Sequence, residues 1–262
     1  MPLASTRTVT SPRVDISLIL PAYNEERSIA STLAEATAYF ARRRLTHEIV
    51  VAADGDDATR TIARDVAERD PRVRVIGGAG RRGKGRAIRE AVALVEGAII
   101  GFADADGKTP IEELDAVRPG LERGYDIVIG SRALAHSRVE VAQPVHRRLG
   151  AKGFNAARDA LLGLQEIPDT QCGFKFFQAD VARDLFSRQR VDGYMFDVEI
   201  LYLARQSGYR IMQLPIRWRD DADSRVRLLT SNARSAIDLV RIRLGAGRRA
   251  PEGKLSPACD HR

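Results

Sequence analysis

The stretch Ala98-Ile99-Ile100-Gly101-Phe102-Ala103-Asp104-Ala105-Asp106-Gly107 decides how this chain is read. Its first part is an apolar run of strand length, and its second is an acidic loop that contains glycine. On an extended backbone residues i and i+2 share a face, so Asp104 and Asp106 reach one ligand together where the strand ends. Two hard oxygen donors suit Mg²⁺ or Mn²⁺ held against a diphosphate, because phosphate oxygens complete the shell. Two aspartates in a solvated loop share that spacing, so the surrounding sequence has to decide.

Outward from this strand, the chain from Asp15 to about Gly130 alternates apolar runs with helical patterns. Residues 16–20, 48–52, 73–76, 98–103 and 126–129 read as strands, and 25–43, 59–68, 84–95 and 111–123 as helices. The alternation predicts an α/β fold, a mostly parallel sheet covered by helices on both faces, with ligands at the carboxyl ends of its strands. From Ser131 the pattern is less regular and richer in arginine, with helices expected at 144–162 and 196–206. The expected organisation is a flexible lead at 1–14 and one domain at 15–229, divided into halves 15–130 and 131–229. A basic amphipathic helix at 230–245 and a tail at 246–262 follow.

Of the 262 residues 44% are hydrophobic, enough for a sizeable core. The apolar runs fall short of the roughly 18 to 20 residues that span a bilayer, and residues 1–14 lack the apolar centre of a signal peptide. A cytoplasmic protein is expected. Cys172 and Cys259 make no metal-ligand spacing and no disulfide framework, which agrees with a reducing compartment. The excess of 42 Lys+Arg over 35 Asp+Glu favours anionic partners such as nucleotide-sugars or phospholipid surfaces. Nucleic acid is not expected as a partner, since no helix-turn-helix, zinc-finger or RNP-type pattern is present and only 6% of residues are aromatic. Nothing in the sequence sets an oligomeric state.

After the first strand, Pro21-Ala22-Tyr23-Asn24-Glu25-Glu26 turns the chain toward the crevice, where a nucleotide could lie; Asn24 as a helix N-cap is the other reading. The second strand ends in Ala53-Asp54-Gly55-Asp56-Asp57-Ala58-Thr59. Asp54 is placed to accept hydrogen bonds from a base or ribose, and Asp56 and Asp57 to cap the next helix. Gly77-Gly78-Ala79-Gly80-Arg81-Arg82-Gly83-Lys84-Gly85 has the glycines and cations of a phosphate cradle. It is not a P-loop, because Gly85 stands where Ser or Thr would follow Lys84.

Taken together, Leu18 to Glu26, Asp54-Gly55, Arg82-Gly83-Lys84-Gly85, Ala103 to Gly107, Gly130-Ser131-Arg132 and Asp169-Thr170-Gln171-Cys172-Gly173-Phe174-Lys175 resemble glycosyltransferase family 2. The likeness is strongest to its dolichyl-phosphate β-glucosyltransferase and polyprenyl-phosphate sugar synthase branch. Phe196-Asp197-Val198-Glu199 and Pro215-Ile216-Arg217-Trp218 extend it, so that it covers about residues 15 to 230. The resemblance implies a GT-A fold, a nucleotide-diphosphate sugar donor such as UDP-glucose, a divalent metal, Mg or Mn, and transfer of a glucose- or mannose-type hexose to a polyprenyl or dolichyl phosphate. It implies that Pro21, Ala22, Asn24, Glu25 and Asp54 hold the nucleoside with Lys84 nearby. Asp104 and Asp106 would face the diphosphate and metal, and Arg132 and Gln171 the sugar and acceptor. Two positions depart from the pattern. Ala53 stands where the second-strand motif has a first Asp, and Lys108 where related mannosyl enzymes place Gln.

The chemistry is displacement at an anomeric carbon with a nucleoside diphosphate leaving, and Asp106 is the expected metal-holding catalytic residue. A lipid-phosphate acceptor is already anionic, its second pKa lying near 6, so arginines rather than a base would serve it. Arg132, Arg217 and Arg225 are the candidates. A hydroxyl acceptor on a small molecule or saccharide instead calls for a carboxylate base, with Asp197 first, Glu199 second and Asp169 third; helix capping is the other reading of Asp197. A catalytically silent nucleotide-sugar-binding protein is the alternative from another class. His47, His136 and His146 read as surface residues. Near the C-terminus Ala233, Ala236, Ile237, Val240 and Leu244 recur at helical spacing beside Arg234, Arg241, Arg243, Arg248 and Arg249. That pattern suits either an anionic membrane face or packing on the core.

Overall fold

In the computed structural model the described residues are 14–139, 145–219 and 232–245. Strands β1 (Ile16–Tyr23), β2 (His47–Asp54), β3 (Val73–Ile76), β4 (Ile99–Ala103) and β5 (Ile127–Ser131) alternate with helices α1 (Ile29–Arg43), α2 (Thr59–Arg69), α3 (Lys84–Val92) and α4 (Leu114–Glu122). The second half adds β6 (Arg138–Val139), α5 (Val145–Leu162), β7 (Phe174–Gln178), α6 (Ala179–Arg188), α7 (Phe196–Gln206), β8 (Ile211–Pro215), β9 (Arg217–Trp218) and α8 (Asn232–Gly245).

Seven strands form one sheet in the order β3-β2-β1-β4-β7-β5-β8, and β6 pairs with β9 in a short ribbon. All neighbours in the sheet run parallel except β7, which is antiparallel to both β4 and β5. The mostly parallel α/β sheet expected from the alternation is therefore present. Because β7 belongs to the second half and lies between two strands of the first, the boundary near residue 130 does not divide the sheet. Gly101 makes this insertion possible: a Cβ there would lie 2.0 Å from the Phe176 ring.

The period of two in the strands sorts their side chains into two cores. Ile19, Val50, Phe102, Ile127, Ile129 and Phe177 point to the face covered by α3, α6 and α7, while Leu18, Leu20, Ile49, Val51, Val128 and Phe176 point to the face covered by α1 and α4. Leu239 and Ile242 of α8 join the first core at 2% and 3% exposure.

Several expectations are corrected. The first strand continues to Tyr23, and α1 starts at Ile29 rather than Glu25, with Ser28 at its N-cap. Asn24 does not cap it, having left-handed backbone (φ 57°). The reason lies in the hydrogen bonds: Glu25 N donates to Thr59 Oγ1 at 2.7 Å and Glu26 N to Asp57 Oδ2 at 3.1 Å, so this backbone ties β1 to the β2–α2 turn instead of starting a helix. His47 is not a surface residue; it is buried, with its ring stacked on Phe40 at 4.4 Å, and burial lowers its pKa. The face of α8 that packs inward carries Leu239 and Ile242, so the expected stripe of Ile237, Val240 and Leu244 remains exposed. Residues 1–13 and 246–262, with Arg225 and Cys259, lie outside the described residues.

Candidate active site

β1 is flanked by β2 and β4, and β2 leads away to β3, so the strand order reverses at β1 and opens a crevice at the carboxyl ends. Asn24, Asp54 and Asp104 follow or end these strands, and Lys84 opens α3 directly after the glycine loop. Pro21 and Ala22 lie in β1 opposite Ala52 and Ala53. Asn24 Oδ1 accepts from Asp56 N at 3.1 Å and packs on Gly55.

Asp54, 5% exposed, anchors the glycine loop: its carboxylate accepts from Arg82 Nε at 2.9 Å, Arg82 N at 3.3 Å and Gly78 N at 3.4 Å. Asp57 Oδ1 accepts from Thr59 N at 3.0 Å at the start of α2, whereas Asp56 Oδ1 accepts from Gly80 N at 3.2 Å and so holds the glycine loop rather than the helix. Arg81 of that loop lies 5.0 Å from the Tyr23 ring centroid and 5.3 Å from that of Tyr194.

The acid pair sits at the centre. Lys84 Nζ donates to Asp104 Oδ1 at 2.5 Å, and Asp104 N donates to Gly173 O at 3.0 Å. Glycine at 173 is required by this approach, since a Cβ there would fall 2.0 Å from Asp104 Oδ2. Asp106 keeps about a third of its side chain exposed; its Oδ1 accepts from Lys108 N at 3.1 Å, and Lys108 Nζ is 3.9 Å from its Oδ2. Burial and then the Asp104 carboxylate push the Asp106 carboxyl up to about 6. The two carboxylates stand close enough for Asp104 to raise the Asp106 carboxyl, and their hard oxygens fit a divalent cation such as Mg²⁺ or Mn²⁺.

After β5, Arg132 makes a two-pronged pair with Asp169, Nε to Oδ2 and Nη2 to Oδ1 each at 2.8 Å. Trp218 of β9 lies against both halves, its ring centroid 5.3 Å from the Arg132 guanidinium and 5.5 Å from Lys108 Nζ. Gln171 is exposed on the loop before β7. Arg217 does not join the site; it reaches outward to Glu113 Oε1 at 2.6 Å.

All three base candidates are committed elsewhere. Asp197 neither caps α7 nor faces the crevice: it is 2% exposed and accepts from Lys175 Nζ at 2.5 Å. Glu199 accepts from Arg190 N and Val191 N at 2.8 to 3.1 Å, and Asp169 holds Arg132. Lys175 and Trp218 are the site-forming residues that sequence reasoning gave no role. A lysine inside Phe174-Lys175-Phe176-Phe177 was the available signal, since a buried ammonium requires a buried partner.

The pattern of glycosyl transferase family 2 matches residues 17–186. The chain belongs to glycosyltransferase family 2. This glycosyltransferase is 34% identical over 256 residues to the dolichyl-phosphate beta-glucosyltransferase of Drosophila melanogaster, covering 91% of this chain and 78% of that protein. Its identity to the human dolichyl-phosphate beta-glucosyltransferase is 32% over 248 residues, with 89% and 76% covered. Among solved structures, glucosyl-3-phosphoglycerate synthase from Mycobacterium tuberculosis, bound to Mn²⁺, UDP and phosphoglyceric acid, superposes on this glycosyltransferase with a TM-score of 0.63 at 21% identity, covering 91% of this chain and 81% of that one. That likeness establishes the shared GT-A fold.

Proposed function

We propose that this glycosyltransferase is a metal-dependent, inverting hexosyltransferase that moves glucose from UDP-glucose to a polyprenyl or dolichyl phosphate. One observation carries the choice of acceptor: Asp197, Glu199 and Asp169, the carboxylates a hydroxyl acceptor would need, are each buried and engaged. A phosphate acceptor needs no base, because its oxygen is already ionised near neutrality. The names of the relatives that cover most of this chain support the same reading.

In this reading the crevice ends Pro21, Ala22, Asn24, Glu25 and Asp54 receive the nucleoside, and Asp104 and Asp106 would hold a divalent cation, which would supply positive charge beside the diphosphate leaving group. The acceptor phosphate oxygen forms the new bond to the anomeric carbon as the bond from that carbon to the diphosphate oxygen breaks, and the nucleoside diphosphate leaves with the electron pair. Arg132, oriented by Asp169, and Gln171 border the acceptor, and Trp218 is a flat apolar wall beside them.

Among the described residues no helix is long and apolar enough to cross a membrane. We place the enzyme on an anionic membrane surface through α8, whose Ile237, Val240 and Leu244 are 53%, 47% and 74% exposed next to Arg241. Such a face enters the interface without spanning it.

Purified enzyme incubated with a panel of UDP- and GDP-sugars, with polyprenyl phosphate or with hydroxyl acceptors, tests the assignment. Lipid-linked glucose formed from UDP-glucose only when Mg²⁺ or Mn²⁺ is present is the expected result. Transfer to hydroxyl acceptors with none to the lipid phosphate would overturn it.

A further inference from the structure

The segment 189–195 that joins α6 to α7 packs against the start of α3, and one buried carboxylate shapes it. Glu199, 5% exposed in the first turn of α7, accepts from Arg190 N at 3.0 Å and from Val191 N at 2.8 Å. Two successive N–H groups on one carboxylate fix the backbone there, and the next residue, Asp192, turns its carbonyl to α3. Asp192 O accepts from Arg86 N at 3.2 Å, and its carboxylate accepts from Arg89 Nη2 at 2.7 Å. Gly83 admits this approach, for its φ is 111° and a Cβ there would fall 2.3 Å from Asp192 O. The first N–H groups of a helix have no acceptor within it, and Gly83, the N-cap of α3, offers no side chain to receive one. A carbonyl from the second half of the chain receives Arg86 N instead. The first residue of the same helix is Lys84, whose ammonium meets Asp104 Oδ1 at 2.5 Å.

We propose that Glu199 is a positioning residue for the donor side of the crevice, acting through Asp192 O to set the first turn of α3 and with it the place of Lys84. The inference rests on the nucleotide-sugar reading above. Glu199 holds the segment, the segment holds the helix start, and the helix start carries the lysine to the acid pair. A carboxylate suits this task because it is acceptor-only and serves both N–H groups at once. An amide of the same shape accepts from one of them and turns a donor toward the other, which leaves a buried N–H unpaired.

Hydrogen exchange followed by NMR and calorimetric titration with UDP and Mn²⁺, both on the full chain, test this in Glu199→Gln. The Arg86 amide should exchange at least about tenfold faster than in wild type, while residues 99–103 of β4 keep their protection. UDP should bind about tenfold weaker, the effect of misplacing one charged hydrogen-bond donor. In turnover, KM for UDP-glucose should rise and KM for polyprenyl phosphate should stay, a split that a general loss of stability does not produce. Unchanged exchange at Arg86, or equal acceleration at Arg86 and in β4, overturns the proposal. Wild-type protein that binds no UDP would overturn the donor reading and this proposal with it; wild-type binding that Glu199→Gln leaves intact overturns the Glu199 role alone.

Discussion

Lys175 Nζ lies 2.5 Å from Asp197 Oδ1, with the two side chains only 0% and 3% exposed, so β7 is bolted to α7 directly beneath the acid pair. Cys172 O accepts from the same ammonium at 2.5 Å, which extends the bolt to the loop that seats Asp104. Removing one member of a buried pair leaves the other charged and unpaired.

Asp197→Ala should therefore lower the unfolding free energy by about 3–5 kcal/mol, read from urea denaturation. Asp197→Asn keeps a hydrogen-bond acceptor and should retain turnover per folded molecule within about tenfold, whereas loss of a general base costs roughly 10² to 10⁴. A drop of that larger size with donor affinity unchanged would restore Asp197 as a base.

Asp106→Ala should leave the fold intact and abolish metal-dependent transfer. Its activity loss should exceed that of Asp57→Ala, a helix-start residue, by at least about tenfold, or roughly 1.4 kcal/mol in barrier. Equal turnover of the two variants at saturating Mn²⁺ contradicts the metal assignment.

The raised Asp106 carboxyl gives a pH signature. Between its ordinary value of 3.8 and about 6, the folded chain binds this proton more tightly than the unfolded chain does. In that window the group's contribution to stability falls as pH rises, and metal binding, which needs the carboxylate, grows. The melting-temperature increase caused by Mn²⁺ should thus shrink on acidification below about pH 6. An increase that stays constant down to pH 4 contradicts this.

For the membrane face, replacing Ile237 and Leu244 with Ser spares Leu239 and Ile242 in the core. Each large apolar side chain withdrawn from water contributes about 1.5–3 kcal/mol and each basic residue near an anionic surface about 1 kcal/mol. Sedimentation with phosphatidylserine-containing vesicles should fall at least tenfold in the double variant, and wild-type sedimentation should weaken with salt. Equal sedimentation of both proteins rules out docking through α8.

The legible parts of this molecule are the local ones. β1 to β5 were readable because their apolar runs alternate with helical patterns, and Asp104 and Asp106 because period-two spacing at a strand end is a property of neighbours in sequence. β7 shares only Phe174 and Lys175 with the motif read in the sequence, and its five residues Phe174–Gln178, with a buried lysine among phenylalanines, have no readable alternation that marks a strand. Its antiparallel place between β4 and β5 depends on Gly101, 75 positions before Phe176 and fitted to its ring. The pairs Lys84–Asp104, Arg132–Asp169 and Lys175–Asp197 join residues 20, 37 and 22 positions apart on different elements, and no local spacing announces them. Asp197 was misread for the same reason: a carboxylate near a helix start resembles a cap or a base until its tertiary partner is known.

The insertion of β7 also sets a timetable for synthesis. Ile99 pairs with Gln178, so a nascent chain that has delivered β1 to β5 still has no strand to join β4 to β5. Contacts this distant in sequence form late, after the entropy of closing the intervening loop has been lost. Asp104 waits on the same event, because its N–H is received by Gly173 O on the chain just ahead of β7. An unfinished polypeptide arrested at Gly130 should thus present both aspartates to solvent and retain no nucleotide, which filter binding on stalled ribosomes can measure. The crevice at the ends of β1 and β4 is assembled only in a chain that already carries β7 and the loop before it.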